Sequence, residues 1–330
     1  MRRHLLEVEE VAALIERGET LLLAGDEEPL RRLPRGAWIA GTIPYFMTER
    51  GGVSDRRRIF AERLPEGLRR AAIRRYGERE ISRVYAELPP GGLGIMIAPA
   101  FSRVHLSFAM NAPVYDEFAT VPLFGWISGV HLDDVGRSTP KVFDGTTGEA
   151  LEQEAVVMQV ALPPGKVARL DILNIFQRGD GPVLTFPETG FSSRIVDVDG
   201  RRRGLVEYLE ESRLDPRLPL VADYCGARIN VSFQSVDRER GEVHFYAPVF
   251  SGVEYRHARP VADYVGAFVS ALPSGLGGQT AFSCNCVLNY LHSSLEGRTT
   301  GDVVGPMTFG EIAYQLLNQT MVSLTVGGGL

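Results

Sequence analysis

Lysine is almost missing from this chain: it occurs only at Lys141 and Lys166, and arginine supplies the rest of the 35 basic residues. Acidic residues number 41, which leaves a formal net charge of −6 and a pI near 5.6. That balance offers no electrostatic footprint for nucleic acid or for an anionic membrane surface. The basic runs Arg56-Arg57-Arg58, Arg69-Arg70, Arg74-Arg75 and Arg201-Arg202-Arg203 have acids interspersed around them and read as solvated faces or turns. Cysteine is scarce as well. Three in 330 residues, in no spaced framework, exclude a disulfide scaffold and fit a reducing compartment, so a cytoplasmic location is expected. No window holds about 20 consecutive apolar residues, so no spanning helix is expected. The opening MRRHLLEVEEVAALIERG meets Glu7, Glu9 and Glu10 too early for a signal peptide.

Several catalytic signatures are also missing. There is no P-loop and no strand-linked G-x-G-x-x-G, and Gly125-Trp126-Ile127-Ser128-Gly129 lacks the spacing of a nucleophile elbow. No second Cys or His pair stands at ligand spacing, so a zinc site has too few ligands.

What is present suits a large folded core. Hydrophobic residues make up 44% of the chain, and 330 residues exceed what one core usually organises, so two lobes are expected. LEVEEVAALIERG has helical apolar spacing, while LLLAG, AWIAGTI, GIMIAPA and VPLFGWISGV are short apolar runs bounded by glycine or proline, as in buried strands. EGLRRAAIRRYG, FSRVHLSFAM and RGLVEYLEES read as helices, whereas AVVMQVALP and ARLDILNIFQRGDG read as strands. The proline-bearing DPRLP at 215–219 marks a linker, which places the lobes at residues 1–212 and 213–330. RINVSFQSVDRERGEVHFYAPVF predicts two strands around a turn at Asp237 to Gly241. VADYCGA at 221 and VADYVGA at 261 are nearly identical, but one runs into an alternating strand and the other into the helical pattern PVADYVGAFVSALP, so the match is coincidental.

The chemistry-bearing residues concentrate late in the chain. From Tyr264 to Leu295 no residue is charged, and beyond it only Glu296, Arg298, Asp302 and Glu311 are. Strand alternation through AFSCNCVLNY sets Phe282, Cys284, Cys286, Leu288 and Tyr290 on one face and Ser283, Asn285, Val287 and Asn289 on the other. Thiols among large apolar neighbours are inert, which favours a core strand over a nucleophile. An enzyme using Cys284 or Cys286 with His292 stays open as the alternative. His105 shares a helical face with Phe101 and Phe108, a setting for a core histidine or for an axial haem ligand. Glu311 is the lone charge in VVGPMTFGEIAYQLLNQTMVSLTV, and a buried carboxylate there must be paired, hydrogen-bonded or protonated. The bland reading makes it an acid in the first turn of a helix over AYQLL.

The pattern F-S-C-N (282–285), G-P-M-T-F-G-E-I (305–312) and N-Q-T (318–320) resembles the C-terminal half of FIST domains, sensory domains of prokaryotic signal transduction. GEVHFYAPVFSGVEYR and PLFGWISG add weaker likeness. The resemblance implies an α+β, two-lobed fold of mixed and antiparallel sheets covered by helices. It also implies a small-molecule sensor, with amino-acid-like ligands and, in some members, haem. By position it marks Cys284, Gly310, Glu311, Asn318 and Thr320. With no attached output module, sensing would pass to a separate signalling protein. The expected ligand site thus comprises Glu311 as anchor with Asn285, Asn318, Ser283, Gly310 and Thr308, and the sequence favours a binding protein over an enzyme.

Overall fold

The computed structural model describes residues 3–224, 227–272 and 280–328. Strand dominates, at 42% against 17% helix, in a mixed α/β arrangement of mixed and antiparallel sheets. Four six-stranded sheets and one three-stranded sheet are formed by the described residues. Three of the six-stranded sheets position the site.

The N-terminal sheet runs in the order Leu5–Leu6, Ile59–Arg63, Leu21–Gly25, Trp38–Thr42, Val142–Asp144, Glu149–Leu151. LLLAG and WIAGT are buried at every position because the sheet is covered on both sides. Leu21, Leu23, Trp38 and Ala40 pack outward against Val8, Val11 and Ile15 of the helix Val8–Glu16, while Leu22, Ala24 and Ile39 join the main core.

The middle sheet runs Gln315–Leu317, Glu311–Ala313, Leu123–Ser128, Leu93–Pro99, Ala155–Ala161, Arg69–Tyr76. The helix Arg103–Asn111 packs against this sheet, and the Ser102 hydroxyl caps its start by accepting the His105 amide. The C-terminal sheet runs Lys166–Leu173, Met321–Gly328, Thr280–Cys286, Gly305–Thr308, Tyr45–Thr48, Gly51–Ser54.

Strands do not segregate at 212/213. Glu311–Ala313 pairs with Leu123–Ser128, Gly305–Thr308 with Tyr45–Thr48, and Met321–Gly328 with Lys166–Leu173. The last quarter of the chain is woven into the first half.

Four local expectations are corrected. EGLRRAAIRRYG is not a helix; Arg69–Tyr76 is an edge strand held antiparallel to Ala155–Ala161, with Arg75 reaching Asp144 and Glu149. The strand in AFSCNCVLNY ends at Cys286, and Val287–His292 is helical, so Leu288 and Tyr290 do not extend the thiol face. AYQLL is not a helix either: Tyr314 turns at φ 63°, and Gln315–Leu317 folds back on Glu311–Ala313. RGLVEYLEES divides, with Arg201–Gly204 a strand and Leu205–Ser212 the expected helix. The hairpin at Asp237 to Gly241 forms as its turn residues predict, and of the two VADY segments one is strand and the other opens the helix Tyr264–Ala271. Cys225 and Pro273 with its following glycines lie outside the described residues.

Gly125 shows how tightly the middle sheet is built. A Cβ there would sit 1.8 Å from the Met96 carbonyl oxygen on the neighbouring strand. Gly125→Ala should therefore lower stability by about 3 kcal/mol or more, read as a shift in the urea unfolding midpoint.

Candidate functional site

Glu311 stands in the middle sheet opposite Trp126, and its carboxyl is fully enclosed. It is a strand residue, so the helix-start reading is overturned. Its Oε2 accepts the Thr320 amide at 3.1 Å and the Thr320 hydroxyl at 2.8 Å. The Thr308 hydroxyl lies 3.4 Å from Oε1, but also 3.1 Å from the Gly310 carbonyl and 3.3 Å from the Asn285 carbonyl. One proton serves those three acceptors. The Cys286 thiol adds a further contact. No Arg, Lys or His forms an ion pair with Glu311 among the described residues.

Burial without a counter-cation pushes this carboxyl up from its ordinary 4.5 to about 8, against the opposing pull of its hydrogen bonds from Thr320, Cys286 and Thr308. Glu311 is thus mainly a neutral acid at pH 7. Its neighbours follow the same logic. Burial raises both the Cys284 and Cys286 thiols well above their usual range, and the Glu311 carboxyl pushes them further. Cys284 donates to the Gly125 carbonyl at 3.4 Å, and the Asn318 amide approaches Cys286 Sγ at 3.8 Å. These are thiols locked in the protonated form. His292, the expected base, instead meets the Arg217 carbonyl through Nδ1 at 3.2 Å.

Asn285 extends the network. Its Oδ1 accepts the Cys286 amide at 2.8 Å and the Asn289 side-chain amide at 2.9 Å, and the buried Tyr264 hydroxyl also bonds to Asn285. The turn Asn318-Gln319-Thr320 is pinned by Asn230, whose amide reaches the Asn318 and Gln319 carbonyls at 3.1 and 3.2 Å; Gln319 sits at φ 48°, and its side chain accepts the Ser232 hydroxyl. Two buried oxygens, Asn289 Oδ1 and Asn318 Oδ1, have no partner among the described residues. Asn289 lines a recess of about 220 Å3 together with Tyr264, Gln319, Asp215, Arg217 and His292. Glu311 lines no part of that recess; it is connected to it through Thr308, Asn285 and Asn289.

Of the expected site residues, Glu311, Thr308, Asn285 and Asn318 converge with Cys286 and Thr320. Gly310 contributes backbone only, its carbonyl accepting the Ile127 amide at 2.8 Å. Ser283 does not join them: its hydroxyl donates to the Val304 carbonyl, and it lines a different cavity. Asn289 stood in the sequence on the polar face with Ser283 and Asn285; Tyr264, Asn230 and Ser232 were not singled out, and the charge-free context of Tyr264 was the only signal for them. His105 is buried apart from this cluster, with Nδ1 accepting the Phe101 amide at 3.2 Å and its ring edge-on to Phe191. Burial lowers its pKa to about 4, and because Nδ1 accepts, the proton of the neutral ring sits on the unpartnered Nε2. In this arrangement neither nitrogen offers haem a free lone pair.

The fold and site define a mixed α/β protein with a buried neutral acid beside a polar recess. Residues 6–327 match a family of unknown function, DUF6976, and the chain belongs to that family. No curated protein and no solved structure matches the chain. Among the described residues no helix is long and apolar enough to cross a membrane, and no group of three or more His, Cys, Asp and Glu side chains is placed to hold a metal ion.

Two expectations follow. The folded protein holds a proton on Glu311 that the unfolded chain releases above 4.5, so this contribution is full below 4.5 and is lost as pH rises through about 8. Urea unfolding across pH 5–9 should show wild-type stability falling by up to about 1.4 kcal/mol per pH unit from this group. Glu311→Gln, which mimics the neutral acid, should remove that part of the slope; any remainder reports groups such as His4, whose pKa is also raised. In a Cys225→Ser background, iodoacetamide should leave the native protein unlabelled at Cys284 and Cys286 and label both after denaturation; native labelling would reopen the thiol enzyme.

Proposed function

We propose that the protein binds a small polar metabolite in the recess at Asn289 and acts as a sensory protein that signals through a separate partner. One observation carries this reading: of the two unpartnered buried oxygens in the network around Glu311, Asn289 Oδ1 and Asn318 Oδ1, the first belongs to a residue that lines an open recess. A buried acceptor left unmatched costs about 1–3 kcal/mol, which a ligand donor would recover. A ligand amine or amide reaching Asn289 would complete the chain that runs through Asn285 and Thr308 to Glu311. The carboxyl then serves as the far end of a relay, not as the direct anchor expected from sequence. The sensory role and the external partner rest on the likeness of the 282–320 segment to FIST domains. Inert thiols favour this reading over the cysteine enzyme, and the His105 tautomer favours it over haem sensing.

The test is thermal stabilisation against a panel of small amines, amides and amino acids. A binder present at 100 times its Kd should add about 2.7 kcal/mol to stability, visible as a raised Tm. Asn289→Ala should lose that rise while Asp171→Asn, on a strand away from the recess, keeps it. An Asn289→Ala protein that still responds like wild type would remove the recess from the function.

A further inference from the structure

A second cavity, of about 290 Å3, opens at the other end of the strand Thr280–Cys286 and shares no lining residue with the recess at Asn289. It lies between the N-terminal and C-terminal sheets, walled by Leu22, Ala24, Phe60, Phe282, Val304 and Pro306. Its volume is roughly twice the ~150 Å3 that holds a benzene ring, so it admits a ring with a short side chain.

Its carboxylates outnumber its basic groups. Glu62 lines it, and Asp302 stands exposed at its rim. His4 lies between Glu49 on Nδ1 and Glu62 on Nε2, stacked on Phe60 with ring centroids 5.5 Å apart. Even with that imidazole protonated, the two lining carboxylates outnumber it, and among the described residues no arginine or lysine lines the space. The field in such a cleft concentrates cations. A different observation also points to a ligand. Trp126 lines the cavity, is only 2% exposed, and its indole N–H has no acceptor among the described residues. Gly41 packs against that nitrogen, where even a Cβ would come within 3.0 Å of it.

We propose that this cavity binds a small amphipathic organic cation. An amine pairs with Asp302 and Glu62, a hydrocarbon or aromatic body packs on Phe60 and Phe282, and an acceptor atom on the larger ligands takes the Trp126 N–H. Aromatic walls beside carboxylates suit such a cation. Nothing in this assignment depends on the Asn289 recess.

The experiment uses the whole chain and isothermal titration with three probes of one skeleton: 2-phenylethylamine, 2-phenylethanol and 3-phenylpropionate. The amine should bind about tenfold or more tighter than the alcohol, and the carboxylate weakest. Asp302→Asn, on an exposed loop, should bring amine and alcohol to within about threefold while leaving the alcohol unchanged. In a Trp38→Phe background, where Trp126 is the remaining tryptophan, amine binding should shift the indole emission. Ala281→Trp, which fills the lining, should abolish binding of all three with the melting curve retained. Equal affinity for amine and alcohol, an amine preference that survives Asp302→Asn, or an unmoved Trp126 emission would each overturn the proposal, as would binding of none of the three.

Discussion

The carboxyl of Glu311 ties together stretches of chain from two sheets. Glu311 is in the middle sheet, Thr308 ends a strand of the C-terminal sheet, and Thr320 precedes that sheet's strand Met321–Gly328. With the carboxyl enclosed and no cationic side chain paired with it among the described residues, the group stands at pH 7 mainly as a hydrogen-bonded neutral acid. That single constraint determines the state of its surroundings. The thiols of Cys284 and Cys286 stay protonated because a carboxyl and apolar side chains surround them, and Asn285 is left to turn its amide toward Asn289.

The strand Thr280–Cys286 is where this network meets the outside. One end reaches the recess at Asn289 through the short helix that follows Cys286; the other reaches the acidic cavity through Ala281, Phe282 and Ser283. Between them the strand pairs antiparallel with Met321–Gly328 and, at Asn285 and Cys286, parallel with Gly305–Thr308. Walls held by such pairing need little reorganisation when a ligand enters. The Asn230 side chain, clamping the Asn318 and Gln319 carbonyls, holds the turn that delivers Thr320 to Glu311.

Much of the candidate site was legible without coordinates. A lone acid in a long uncharged stretch has to be neutralised or bonded if it is buried, and Glu311 is both. The alternation that put Cys284 and Cys286 on an inert face held up to Cys286, where the chain turns helical. Less was visible of the second cavity. His4, Glu62 and Asp302 are ordinary surface types from separate stretches of the chain, and only the packing of the two sheets brings them to one cavity with Trp126.

By itself the sequence determined the positions of the apolar strands and the turn at Asp237 to Gly241, and it placed the two thiols among apolar neighbours, because periodicity and turn chemistry act locally; for Glu311 it set only the condition that burial would impose. Tertiary structure alone decided that Arg69–Tyr76 is a strand, since its spacing suits a helix and only the partner Ala155–Ala161 supplies the missing hydrogen bonds. It alone decided that Ser283 faces a different cavity from Asn285, and that strands from both sides of 212/213 share sheets. Pairing across hundreds of residues is set by which edges remain open when the core closes, and no short stretch of chain carries that information.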